Sequence, residues 1–388
     1  MQYLREKPQK YLLDGCKMLF YPDKLEDFMN GKRISPVSID MGIHKGCQIF
    51  CKFCYGIFQN KSADYIPTNS LLNIAEDCRK LGIKSIAIVG DGEPTLNKGL
   101  YPFVSALSEN GIASAVATNG LLLDNSKIDI LTNNCSWVRF NVSGIRENYP
   151  VIHGKTTLKD FYRLEKLIKY AVEHSKKATI GLQMVLIPDN FFDIIPFARW
   201  AVELGVDYAQ IKQFSDAGKG MPMHFDMEQY KSVESLLKEA ERLSNDKTKI
   251  KIKWKALEDS QNITLYNKWD YDNCIDLPFL FQISGNGKCY PCGYLFNNEE
   301  YCYGDITKER LYDIINSEKY WNIIEKIRNM PLKELCFGQC RHCSGNQFMD
   351  RFTKAYKGNV KETLIELCGS KEQYQLWIDN PPEHIQFL

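Results

Sequence analysis

The chain has 388 residues, long for one compact domain and about right for a large catalytic domain with a smaller appendage. Hydrophobic residues make up 44% and charged residues 25%, which supplies a substantial core under a soluble surface. The formal net charge is +1, from 49 basic and 48 acidic residues, which argues against a general nucleic-acid binder but leaves room for a local basic pocket.

In chain order, the N-terminal stretch MQYLREKPQKYLLDG has no signal-type apolar core. No apolar run approaches the ~18 residues that span a bilayer, so a soluble, cytoplasmic protein is expected. Residues 1–36 read as a polar lead-in, a helix and loop packing on the main domain. A strand–helix alternation then begins. VSIDMGI (37–43), SIAIV (85–89), ASAVAT (113–118), WVRFNVS (137–143), TIGLQMVLI (179–187) and DYAQIK (207–212) read as strands. Helices are predicted over 70–81, 98–110, 124–132, 156–174, 190–204 and 225–244. This pattern predicts an α/β fold, a partial (β/α)6 TIM-like barrel over 37–265, with catalytic residues at the C-terminal strand ends.

KIKIKW (249–254) looks like a further edge strand, and a domain boundary is placed near 260–268. Beyond it, 266–350 reads as a small cysteine-rich domain with hairpin-like strands in FLFQISGNGKCYPCGYLF and a helix around 308–328. Residues 351–388 read as a helical tail.

Fourteen cysteines without an export signal favour metal or cluster ligation over a disulfide framework. Cys47, Cys51 and Cys54 form C-x3-C-x2-C directly after the first strand. Three thiolates on a tight loop can hold three irons of a cubane and leave the fourth iron open to a substrate or cofactor. The competing reading is a zinc knuckle with His44 as fourth ligand. Cys336, Cys340 and Cys343 repeat the same spacing, but only the first cluster is followed by a whole β/α domain.

The first motif, its loop position and Gly90-Asp91-Gly92-Glu93-Pro94 after the second strand resemble the radical S-adenosylmethionine (AdoMet, SAM) superfamily. The resemblance implies that Cys47, Cys51 and Cys54, followed by Tyr55, hold a [4Fe–4S] cluster that AdoMet chelates. It places backbone groups and the acidic side chain of Gly90, Asp91, Gly92 and Glu93 at the AdoMet amino group, with Asp91 a mild departure from the commonest form. Asn119, Asn141 and Ser143 are expected near the AdoMet ribose and carboxylate. Gln183 is either a satisfied core amide or a ligand contact. Lys212, at the mouth of the barrel, is a solvated lysine or a partner for a substrate carboxylate or phosphate; the second reading is preferred.

Cys274-x12-Gly287-x4-Cys292 resembles the opening of SPASM and twitch auxiliary domains, and Cys340 with Cys343 would complete a four-thiolate site. One auxiliary [4Fe–4S] cluster is therefore expected, with a zinc ribbon as the competing reading. Cys289, Cys302 and Cys336 are spare, and Cys336 could replace a chosen ligand. Cys16, Cys78, Cys135 and Cys368 read as ordinary buried thiols.

The implied chemistry is reductive cleavage of AdoMet to a 5′-deoxyadenosyl radical that abstracts a substrate hydrogen. The electron donor expected is a flavodoxin or ferredoxin. A small polar metabolite, such as a sugar, aminocyclitol or nucleotide derivative, is favoured for dehydrogenation or epimerisation. A peptide or protein maturase is the alternative, and a non-catalytic iron–sulfur or zinc scaffold the second alternative.

Overall fold

A computed structural model describes residues 2–11, 15–59, 61–215, 223, 225–254, 257, 271–332, 336 and 340–388. The boundary expected near 260–268 lies outside the described residues. Among the described residues, ten strands form one sheet: β1 (Ser38–Met41), β2 (Ser85–Ile88), β3 (Ala113–Thr118), β4 (Trp137–Asn141), β5 (Thr179–Leu186), β6 (Tyr208–Gln213), β7 (Lys249–Ile252), β8 (Leu280–Ile283), β9 (Lys288–Tyr290) and β10 (Gly304–Asp305). The order is β10-β9-β8-β1-β2-β3-β4-β5-β6-β7, parallel from β8 through β7, with β9 and β10 added antiparallel. Helices cover the outer face, so the inner strands are buried on both sides and read as apolar runs; all four residues of β2 and of β8 are buried. The architecture is the expected partial barrel.

Local signals fix most helix ends. The helix Thr68–Leu81 stops at Gly82, whose φ of +70° suits glycine. The helix Leu158–His174 starts with a capping box between Thr157 and Asp160. The helix expected around 308–328 is instead two, Leu311–Asn316 and Glu318–Arg328, because Ser317 turns extended and its side chain accepts from the Tyr320 amide.

Two features depart from the sequence expectation. First, β8 opens the cysteine-rich region yet pairs in parallel with β1, Ser38 opposite Leu280, on the side away from β2. The hairpin to β9 therefore extends the barrel sheet and brings the downstream cysteines beside the loop after β1. Second, the lead-in packs chiefly with the C-terminal helices. Leu4, Met18, Leu19 and Leu25 share a core with Phe348, Phe352, Leu364 and Trp377. Residues from the two sequence ends thus build one core of their own.

The last residues also close the barrel floor. Phe387 packs on Trp137 among Ala87 and Ala115, while the Ser85 hydroxyl donates to the Gln386 carbonyl at 2.6 Å. Lys17 donates to the carbonyls of His384 and Phe387, both at 2.9 Å. Among the described residues, no helix is long and apolar enough to cross a membrane.

Candidate active site

The loop after β1 carries the first cysteine triad and is stitched to the short helix Tyr149–His153. Lys52 N donates to Ile152 O at 3.0 Å, and Phe50 N to His153 O at 3.3 Å. Cys47, Cys51 and Cys54 all line one cavity of about 880 Å³, within the size range of small-ligand sites. Burial pushes the Cys47 and Cys51 thiols up, so a metal must displace their protons on binding. His44 is engaged elsewhere: its Nδ1 accepts from Gly46 N at 2.8 Å and its ring stacks on Tyr65.

The glycines at the end of β2 permit a close approach. A Cβ on Gly90 would lie 2.2 Å from Gly42 Cα, and one on Gly92 would lie 2.0 Å from the His44 carbonyl oxygen. Gly92→Ala is expected to force this loop apart, costing about 1–3 kcal/mol. A thermal-unfolding shift of several degrees, with reduced iron loading, would register it.

The acidic side chains between and after these glycines are held by partners within the protein. Asp91 accepts from Ser284 Oγ at 2.7 Å and Gly285 N at 2.8 Å, and pairs with Lys45 at 3.8 Å, which ties β2 to the β8–β9 turn. Glu93 accepts from Thr118 Oγ1 (2.5 Å), Asn119 N (2.9 Å), Thr95 N (3.1 Å) and Thr95 Oγ1 (2.6 Å), which fixes the end of β3. Both carboxylates are buried, and Gly90, Asp91, Gly92 and Glu93 all line the cavity.

Asn119, Asn141 and Gln183 line the same cavity. Asn119 Nδ2 lies 3.7 Å from Cys47 Sγ, and its Oδ1 accepts from Gln48 at 3.0 Å. Ser143 is fully buried behind Asn141: its hydroxyl donates to Asn141 Oδ1 at 3.0 Å and accepts from Val185 N at 2.9 Å. It orients Asn141 and does not line the cavity.

On β6, Lys212 is exposed to the cavity, whose walls surround its amine. Burial, then the nearby Arg139 and Arg341, push its amine down to about 8. Arg341 donates to Asp40 at 2.7 Å and to the Leu388 carbonyl. Lys212 has no carboxylate partner among the described residues. Two positions earlier on the same face, Gln210 is 3% exposed, lines the cavity and leaves Oε1 without a hydrogen bond. Arg139, Arg341 and Gln210 escaped the sequence reading. Alternation along β4 and β6 could have pointed to Arg139 and Gln210 as inward-facing.

The second cysteine site is a small enclosed space lined by Cys274, Cys292, Cys336 and Cys340. Cys343 Sγ is 3.7 Å from Cys340 Sγ and accepts from the Tyr271 hydroxyl at 3.3 Å. Five thiols thus converge, the four expected and Cys336. Cys289, on β9, and Cys302, just before β10, are outside this lining, their thiols directed at the carbonyls of Gly287 and Gly304. None of the fourteen cysteines forms a disulfide, and Cys16, Cys78, Cys135 and Cys368 are buried, as expected.

Side chains absent from the sequence reading hold this second site together. Asn346 Oδ1 accepts from Ile275 N at 2.7 Å and Asp276 N at 2.9 Å, while Nδ2 donates to Cys274 Sγ at 3.3 Å. His342 is fully buried between Asp276 Oδ1 (2.7 Å) and the Pro291 carbonyl (2.8 Å). Tyr55, expected at AdoMet, lines the active cavity at its wall with the second site; burial and then the charges of Cys292 and Cys340 push its phenol up. Cys340 lines both spaces.

The Radical SAM superfamily matches residues 41–201, and the SPASM iron–sulfur cluster-binding domain matches residues 274–344. The chain belongs to the radical SAM superfamily. This radical SAM enzyme carries its triad inside the first match and all five converging thiols inside the second. Its cofactors are AdoMet, a [4Fe–4S] cluster and auxiliary iron–sulfur, and the zinc readings give way. It is 22% identical over 353 residues to the tungsten-containing aldehyde ferredoxin oxidoreductase cofactor-modifying protein of Pyrococcus furiosus, covering 84% of this enzyme and 90% of that protein. An S-adenosylmethionine-dependent nucleotide dehydratase of Flammeovirga pacifica is 27% identical over 141 residues, 34% of this enzyme and 47% of that one. Streptococcus suis SuiB bound to S-adenosylmethionine shares the fold, with a TM-score of 0.61 and 17% identity over 81% of this enzyme and 75% of SuiB.

Proposed function

We propose that this radical SAM enzyme removes a hydrogen atom from a small polar metabolite with an anionic end, such as a phosphorylated sugar or a nucleotide derivative, to dehydrogenate or epimerise it. The observation that carries this reading is the cationic group Lys212, Arg139 and Arg341 near one another on the cavity that the Cys47, Cys51 and Cys54 thiols also line. The likeness of part of the chain to a nucleotide dehydratase supports it.

The donor set fits the cofactors. Three thiols on one loop leave one iron of a cubane open, and Gly90, Asp91 and Gly92 line the same cavity, where an amino acid moiety would lie. When bound, the cluster and AdoMet supply the 5′-deoxyadenosyl radical that takes the hydrogen. The chain's own part is positional: Asn119, Asn141 and Gln183 offer amides to polar groups of the ligands, and the residues 383–388 close the floor against water. Lys212 and Arg139 would hold the substrate's anionic end. A flavodoxin or ferredoxin would supply the electron, in a reducing cytoplasm suited to fourteen cysteines that form no disulfide.

Cys274, Cys292, Cys340 and Cys343 would hold one auxiliary [4Fe–4S] cluster, with Cys336 near enough to replace one of them, and that cluster would accept the second electron of a dehydrogenation as the substrate radical loses a proton. Cys292→Ala combined with Cys336→Ala, which removes a ligand and its spare together, is expected to remove about four irons per chain and leave the AdoMet-sensitive signal in place. Metal analysis with electron paramagnetic resonance (EPR) on reconstituted protein checks this.

The substrate class is tested by adding fractionated cell extract to reduced enzyme and following 5′-deoxyadenosine. Release driven by the small-metabolite fraction, and lost when that fraction is treated with phosphatase, is expected for a phosphorylated substrate. Release driven only by a peptide fraction would replace this reading with a peptide maturase.

A further inference from the structure

His153 is fully buried and takes no part in the chemistry assigned above. Its ring lies between the triad loop and the end of β4. Nδ1 is 3.2 Å from Cys51 Sγ, and Nε2 accepts from the Ser143 amide at 2.8 Å. A backbone amide can only donate, so Nε2 carries no proton. This excludes both the imidazolium and the Nε2–H tautomer, and leaves the ring proton on Nδ1, aimed at the sulfur.

The ring is held in that orientation. Tyr149 lies against one face with centroids 4.5 Å apart, and Phe53 meets it edge-on at 5.7 Å. The carbonyls of Ile152 and His153 accept from Lys52 and Phe50, so the imidazole and the cysteine loop move as one unit. Gly154 allows the contact: its φ is +41°, and a Cβ there would lie 2.5 Å from the Phe50 carbonyl oxygen.

We propose that His153 is a positioning and tuning residue for the AdoMet-cleaving cluster: it donates Nδ1–H to the Cys51 thiolate and raises the cluster's reduction potential. A hydrogen bond to a ligand sulfur withdraws charge and favours the more electron-rich reduced state. Fixing the donor through a backbone amide keeps the bond in place whichever ligands fill the cavity. The inference rests on the assignment of Cys51 as a cluster ligand.

The test is an anaerobic redox titration of reconstituted protein followed by EPR, comparing wild type with His153→Leu and His153→Asn. The leucine fills the buried space without a donor, while the asparagine amide restores one close to the Nδ1 position. At a fixed potential, His153→Leu should show about tenfold less reduced cluster at unchanged iron content, about 59 mV lower for a one-electron couple. His153→Asn should recover most of that loss. An unchanged midpoint in His153→Leu, or an equal drop in His153→Asn, overturns the proposal. If His153→Leu fails to fold, pulsed EPR on wild type labelled with 15N-histidine decides: a histidine nitrogen coupled to the reduced cluster is expected, and its absence overturns the proposal. Wild type lacking any AdoMet-sensitive signal would overturn the Cys51 assignment with it, whereas a normal signal with an unmoved midpoint overturns the role of His153 alone.

Discussion

Replacing Cys47, Cys51 and Cys54 together by alanine will take 5′-deoxyadenosine formation to background, a fall of at least about a thousandfold. The three thiols share one loop and one cavity, and no other cysteine lies in that loop to substitute for them. The other cysteine site should be spared. Its clamps are the Asn346 bonds to Ile275 and Asp276 and the bonds of His342 to Asp276 and Pro291, none of which involves the triad. Iron should therefore drop by about four per chain while about four remain. Loss of all the iron would mean that the two sites assemble as one unit. Retained 5′-deoxyadenosine would remove the triad from the chemistry altogether.

The second large effect is expected at Lys212. Lys212→Met keeps the length of the stem and removes the charge. A charge-assisted hydrogen bond contributes about 1.5–3 kcal/mol, so kcat/KM for the anionic substrate should fall roughly 10- to 100-fold, mostly through KM. Iron content and the AdoMet-induced EPR change should stay at wild-type level. The pH dependence carries a sign. Burial, Arg139 and Arg341 bring the amine to about 8, so it is cationic below that pH and neutral above it. In wild type, KM should therefore rise as pH increases through about 8, well below the range of an ordinary lysine, and Lys212→Met should lose that rise. If the substitution instead abolishes the AdoMet-induced change, Lys212 holds the AdoMet carboxylate and the anionic-substrate reading falls.

Where the sequence reading was sharp, the signal was local. Residues 113–118 read as a strand and are β3, because a short apolar run bounded by Gly111 and the Asn119-Gly120 turn leaves little choice. The triad was legible for the same reason: its members sit within one loop, and spacing alone sets the chemistry they can do. Gly90-Asp91-Gly92-Glu93 is legible as a turn, but not the contacts its acids make within the protein. The motif marks a turn that needs glycine, whereas the partners of Asp91 and Glu93 come from Ser284, Gly285, Thr118 and Asn119, which sequence distance hides.

His153 shows the same limit. A histidine before a glycine at the end of a short helix carries no local sign that its ring will meet Cys51, a hundred residues upstream in the chain, and the Ser143 amide at once. Alternation along β4 marks Arg139 as inward-facing, but only the closure of the sheet brings it near Lys212.

The sequence by itself determined the order of strands and helices, the cluster-binding loop and hence the family of chemistry, because each is written in spacings of a few residues. The tertiary structure decided which distant groups meet. It paired β8 with β1, brought Cys274 and Cys292 to Cys336, Cys340 and Cys343, folded both sequence ends into one core, and gathered the cations that face the cavity. Those outcomes rest on register and packing between segments hundreds of residues apart, and a one-residue change of register would turn every inward side chain to the other face.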